Sequence, residues 1–198
     1  MRTGIFGGTF DPPHLGHLIL AAEAFHQLQL DRLLWVLTPD PPHKPGQPIT
    51  PLVVRLEMLQ AALGDAPEYE ISRLEIDRPG PQYAVDTVRT LRAQNPQDIL
   101  SFLMGGDSLE KLPTWREPQA FLAQLDYLGI MRRPGEGFDL EGLEKELPGI
   151  TTKLRFIDAP LLEIASSEIR RRARGGAPYR YYVHPAVYAM IERERVYR

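Results

Sequence analysis

The 198-residue chain has no cysteine, which excludes a disulfide framework, a thiolate nucleophile and any thiolate metal site. It has no basic excess either. Its 23 Lys and Arg stand against 26 Asp and Glu, a formal net charge of −3, whereas a general nucleic-acid binder needs a basic footprint. The arginines at 170–174 read as a solvated helix face, and no nucleic-acid partner is expected. No apolar run approaches the ~20 residues that span a bilayer. The opening RTGIF has neither the apolar length nor the cleavage site of a signal peptide. The expectation is a cytoplasmic protein without membrane contact, a monomer or weak homo-oligomer.

What the chain does have is alternation. Short apolar runs at 2–6, 32–38, 69–76, 99–105, 127–131 and 153–158 read as strands. Between them lie helix-period segments. Leu15, Leu18, Ile19, Ala22 and Phe25 repeat at three- and four-residue steps, as do Val54, Met58, Ala61 and Ala62 behind Thr50 as cap and Pro51 as first helical residue. Residues 83–94 and 118–125 repeat the pattern more weakly. Such alternation predicts one α/β domain over 1–198, doubly wound around a mostly parallel sheet. Residues 159–198 read as a small C-terminal helical portion on that sheet.

The stretch GIFGGTFDPPHLGHL (4–18) concentrates glycine, proline and histidine where the first strand hands over to the first helix. In doubly wound sheets ligands bind at such junctions. Gly7 and Gly8 let backbone N–H groups approach a phosphate closely. Pro12 and Pro13 delay the helix, so His14 and His17 fall one turn apart at its start, where unpaired N–H groups favour an anion. Asp11 with the two histidines is an alternative metal set, although no third strong ligand lies nearby in sequence. The stretch fits neither the P-loop pattern nor the dinucleotide fingerprint.

Taken whole, GGTFDPPHLGH resembles the N-terminal signature of the nucleotidyltransferase superfamily, with His14-Leu15-Gly16-His17 as its H-x-G-H element. The superfamily's I-S-S-T-x-I-R element is similar to IASSEIR (164–170), with Ala165 in place of the first serine and Ser167 in place of the threonine. Its serines are placed to cap the following helix, and Arg170 is a permanent cation for phosphate. Further segments resemble the bacterial nicotinate-nucleotide adenylyltransferase family: TPDPPHKP (38–45), GPQYAVDTVRTLR (80–92), GGDSLEKLPTW (105–115), IMRRPGEG (130–137) and the C-terminal YYVHPAV. Ala84 stands where threonine is usual, and His184 is inserted before the final helix's proline.

The resemblance implies a Rossmann-like fold and transfer of AMP from ATP, with Mg²⁺, to nicotinate mononucleotide. It assigns ATP to Gly7, Gly8, Thr9, Phe10, His14, His17, Gly106, Asp107, Ser166, Ser167 and Arg170. His14, His17 and Arg170 would carry the catalysis. The mononucleotide falls to His43, Lys44, Tyr83, Ala84, Asp107, Trp115, Arg116 and Arg133, with Trp115 under the pyridine ring. No dedicated protein metal site is implied. Two alternatives stand beside this reading. One keeps the fold and changes the acceptor to nicotinamide mononucleotide or another phosphate compound. The other is an esterase, from the tetrapeptide GDSL at 106–109, although Asp11-x-x-His14 then precedes the serine instead of following it.

Overall fold

The computed structural model describes residues 1–41, 48–132, 137–160 and 162–198. Six strands form one all-parallel sheet: β1 (Arg2–Gly8), β2 (Arg32–Leu37), β3 (Tyr69–Ser72), β4 (Ile99–Gly105), β5 (Tyr127–Arg132) and β6 (Leu154–Asp158), in the order β3-β2-β1-β4-β5-β6. The crossovers run outward in both directions from β1, so the switch point lies between β1 and β4, and a crevice opens beyond their carboxyl ends.

Side-chain alternation explains why these strands are apolar almost throughout. Ile5, Leu34, Val36, Leu100 and Phe102 join the core on one face, while Phe6, Leu33, Trp35, Leu37 and Leu103 join the core on the other. A strand covered on both sides leaves few positions for polar residues. Helices α1 (Leu15–Gln27) and α2 (Leu52–Leu63) follow β1 and β2, and α3 (Ala84–Gln94) follows β3. After β4 come α4 (Gly106–Lys111), a 3₁₀ turn at Leu112–Thr114 and α5 (Pro118–Ala123). Helices α6 (Leu140–Glu146) and α7 (Ile150–Lys153) precede β6, and α8 (Ser166–Gly175) and α9 (Pro185–Glu194) end the chain.

Several sequence expectations shift. The third strand stops at Ser72 instead of 76, because the Ser72 hydroxyl accepts from the Leu74 N–H and Asp77 N–H donates to the Arg73 carbonyl, closing a turn. In α1 the buried stripe is Leu20, Ala21 and Ala24, with Ala22 exposed. In α2 it is Arg55, Met58, Leu59 and Ala62, so Met58 and Ala62 are buried as the pattern requires, Val54 and Ala61 are only partly buried, and Arg55 and Leu59 join the inward face. Thr50 is not its cap: Pro51 holds that position with extended backbone, and the Thr50 N–H is instead given to Asp11. Segment 106–114 is helical, and α6 and α7 are additional to the expected helix-period segments.

The C-terminal portion packs on α2 and not directly on the sheet. Ile169, Ala173, Val187, Ile191 and Tyr197 share a core with Met58 and Ala62. The sheet face beneath is already covered by α1, so the outer side of α2 is the apolar surface left to bury. His184 caps α9, its Nδ1 accepting from the Ala186 N–H at 3.3 Å.

Candidate active site

A cleft of about 1000 Å³ opens at the carboxyl ends of β1 and β4. Gly7 and Gly8, the last two residues of β1, form its floor together with Thr9. The chain then turns at Phe10, whose φ of 46° is held by a ring buried against Phe6, His17 and Trp35. That burial keeps the Phe10 side chain out of the cleft wall.

His14 caps α1 and does so reciprocally with His17. The His17 N–H donates to His14 Nδ1 at 3.3 Å, and the His14 N–H donates to His17 Nδ1 at 3.2 Å. A ring nitrogen that accepts carries no proton, so in the neutral tautomer each imidazole keeps its hydrogen on Nε2. Burial pushes the His14 pKa down to about 4, which keeps that ring neutral near pH 7. Both residues line the cleft. Gly16 sits between them because a Cβ there would meet His14 Nδ1 at 3.1 Å.

The second motif lies against the first across 154 residues or more. Ser166 Oγ donates to the Pro12 carbonyl at 2.8 Å, and Arg170 Nη1 donates to the Asp11 carbonyl at 2.7 Å. The serines do not cap α8 as expected. Ala165 is its cap residue and no side chain caps it, since Ser166 lies one position inside the helix with its hydroxyl turned to Pro12. The first-turn residues Ala165, Ser166 and Ser167 line the cleft with Arg170, His14 and His17. A cation, two imidazoles and a helix N-terminus thus surround one crevice, an arrangement suited to an anion.

Asp11 is not poised for a metal. Its Oδ1 accepts from the Tyr197 hydroxyl at 2.8 Å and its Oδ2 from the Thr50 N–H at 3.3 Å. Burial beside this carboxylate pushes the Tyr197 phenol well up, so it stays a donor. Among the described residues, no three His, Cys, Asp or Glu side chains gather to hold an ion.

The opposite wall is built by α3 and the segment after β4. Tyr83 is the residue just before α3, and the Arg116 guanidinium lies 4.6 Å from its ring centroid. Trp115 packs its edge on Phe102 and Phe121, with centroids 6.2 and 5.5 Å away, and remains a half-buried wall of the cleft. Ala84 and the exposed Asp107 also line this end, while Gly106 is buried at the start of α4. Thr87 is buried and donates to Glu75 at 2.6 Å, and Asp86 pairs with Arg89. His43, Lys44 and Arg133 lie outside the described residues.

A family model for cytidylyltransferase-like proteins matches residues 5–172. A Thermomicrobium roseum protein described as a probable nicotinate-nucleotide adenylyltransferase is 46% identical over 197 residues, covering 100% of this chain and 92% of its own. A Thermus thermophilus protein of the same description is 43% identical over 198 residues, with 100% of both chains covered. The chain belongs to the nicotinate-nucleotide adenylyltransferase family. The fold agrees with a solved nicotinic acid mononucleotide adenylyltransferase of Plasmodium falciparum complexed with APC, at TM-score 0.81 and 20% identity over 99% of this chain and 96% of that one. The same protein complexed with NaAD gives TM-score 0.77 at 19% identity, covering 99% and 97% of the chains. Membership of the adenylyltransferase family leaves the GDSL tetrapeptide a coincidence: Asp11 is bonded to Tyr197 and Thr50, and His14 Nδ1 accepts from the His17 N–H, so these two do not form the Asp–His pair that would activate Ser108.

Some cleft residues of this adenylyltransferase-family chain escape a motif-based reading. Thr38, Gln82 and Lys111 line the crevice; they fall within the quoted segments 38–45, 80–92 and 105–115, yet the resemblance gives them no role. Arg55, fully buried beneath it, is a lone cation on the inward stripe of α2, a place that an apolar repeat passes over.

Proposed function

We infer that the chain transfers the adenylyl group of ATP to nicotinate mononucleotide, giving deamido-NAD and pyrophosphate. The observation that carries this reading is the meeting of His14, His17 and Arg170, distant in sequence, around one cleft at the β1–β4 switch point. Its family membership supplies the acceptor.

On this reading the triphosphate lies over the N-termini of α1 and α8. The Nε2–H groups of His14 and His17, the Arg170 guanidinium and the Ser166 and Ser167 segment hold it, and Gly7, Gly8, Thr9 and Phe10 offer backbone. Arg170 has one arm on the Asp11 carbonyl, which holds its fork in place. Gly106 and Asp107 serve the ribose. Lys44 and His43 neutralise the mononucleotide phosphate, while Trp115, Tyr83, Ala84, Arg116 and Arg133 enclose the pyridine.

An oxygen of the mononucleotide phosphate attacks the α-phosphorus of ATP. The new P–O bond forms as the bond to the β-phosphate breaks, and pyrophosphate departs in line. No covalent enzyme intermediate is needed, so the rate comes from positioning and from donors aimed at the growing negative charge. His14 acts as a neutral donor and not as an acid. Mg²⁺ would enter as part of the ATP substrate and offset the charge of its phosphates.

The deciding experiment measures pyrophosphate release from Mg²⁺–ATP with nicotinate mononucleotide, nicotinamide mononucleotide and unrelated phosphate compounds, with His17→Ala as control. Preference for the acid by at least tenfold in kcat/KM is expected. Equal use of the amide would move the acceptor assignment to the first alternative, and no release with any acceptor would end the reading.

A further inference from the structure

Gly8 and Leu37 are the last paired residues of β1 and β2, and the Thr38 N–H to the Gly8 carbonyl, 2.9 Å, is the final rung between them. Beyond it the two segments diverge around the cleft, which Thr9 and Thr38 both line. Here the buried Arg55 takes over. Its Nη1 donates to the carbonyls of Thr9 (2.9 Å) and Thr38 (2.8 Å), its Nη2 to Pro39 (2.8 Å) and its Nε to Thr50 (2.8 Å). The side chain is 1% exposed and does not reach the cleft surface. Asp11 supplies the opposite charge nearby.

We propose that Arg55 is a positioning residue for adenylyl transfer, setting the separation between the segment after β1 and the segment after β2. The inference rests on the function proposed above, in which the first segment bears ATP and the second leads to the acceptor phosphate. Only a planar fork with five donors can hold carbonyls on three segments at once, whereas a lysine ammonium is a single point with three donors. The side chains assigned to the triphosphate and the pyridine, among them His14, His17, Arg170 and Trp115, stand on other elements, so loosening this tie leaves each substrate bound but offset from in-line attack. An offset of about an ångström is enough to lower a rate ~100-fold.

The test compares the native chain with Arg55→Lys and Arg55→Met. Steady-state kinetics with Mg²⁺–ATP and nicotinate mononucleotide are read beside the stoichiometry of binding of a non-hydrolysable ATP analogue and a thermal melt. For Arg55→Lys we expect a cooperative melt, full analogue stoichiometry and both KM values within about twofold of native, with kcat lower by about tenfold to hundredfold. Arg55→Met should fall at least as far. Native kcat in Arg55→Lys overturns the proposal. So does a loss of kcat matched by lost analogue binding, or a variant that does not fold, since Arg55 would then serve stability alone. An inactive native chain would overturn the functional reading and this inference together, whereas an active native chain with an equally active Arg55→Lys overturns this inference alone.

Discussion

The imidazoles of His14 and His17 stack with centroids 3.6 Å apart and planes 22° from parallel, each accepting the other's backbone N–H. The two residues that end the β1–α1 turn are therefore also the two that face the cleft. Capping and ligand recognition are not separate duties here. Capping consumes Nδ1 of each ring and so determines that Nε2–H is what the neutral ring can still give.

Stability should fall in acid because of His14. Its pKa drops from an ordinary 6.5 to about 4 on folding. Below pH 6.5 the unfolded chain therefore binds the extra proton and the folded chain does not. The stabilisation is fully present above 6.5 and declines as pH falls through the window down to about 4, a loss of about 3 kcal/mol from this group. Denaturant unfolding at pH 4.5 to 7 should show a steeper decline for the native chain than for His14→Asn, which keeps a cap acceptor. Parallel curves would exclude the effect.

Gly16→Ala separates stability from turnover. Alanine favours a helix over glycine by up to about 1 kcal/mol, but its Cβ would sit 3.1 Å from His14 Nδ1 and 3.2 Å from Cε1. The ring must give way by a few tenths of an ångström. The variant should melt no lower than native yet turn over at least fivefold more slowly. Undiminished kcat would mean that the His14 position is not critical.

Removing one phosphate donor should resemble the loss of an oxyanion-hole donor. His17→Ala is expected to reduce kcat by about 10²–10³. Arg170→Lys keeps the charge but cannot hold the Asp11 carbonyl and a phosphate with one fork, so at least a tenfold loss is expected. Single-turnover quench-flow with radiolabelled ATP reads the chemical step directly.

Trp115→Ala should act on the acceptor alone. Stacking of a base on an aromatic side chain contributes about 1–3 kcal/mol, so the KM for nicotinate mononucleotide should rise roughly tenfold or more while that for ATP stays near native. Because Trp115 also packs on Phe102 and Phe121, Trp115→Phe is the milder partner and should recover most of the affinity. An ATP KM that rises in parallel would place the ring elsewhere.

Tyr197→Phe tests a bond that spans 186 residues of chain. The substitution keeps the ring and strips a donor from the buried Asp11 carboxylate, at a cost of about 2 kcal/mol in unfolding free energy. Equilibrium urea denaturation would detect this directly, and an unchanged midpoint would show the hydroxyl to be dispensable.

The helices and strands were largely legible because their signals are local. Ile5 and Phe6 on opposite faces of β1 follow from a period of two. Where the reading slipped, long-range contacts decided. On α2 the apolar repeat finds Met58 and Ala62 but passes over Arg55, because only the carbonyls gathered around its guanidinium make that position an inward one. Ser166 looked like a cap from its place before an arginine-rich helix, and the Pro12 carbonyl claims its hydroxyl instead.

The amino-acid sequence by itself determined which chemistry the chain could attempt: two imidazoles one turn apart, a late arginine and a tryptophan after a glycine pair, with no thiol among them. Whether those groups would ever meet was settled by the order of the strands, which puts the ends of β1 and β4 side by side, and by the return of α8 to the turn between β1 and α1. Side-chain types and their periodicity are written one residue at a time. Proximity between Asp11, Arg170 and Tyr197 exists only once the crossovers have closed.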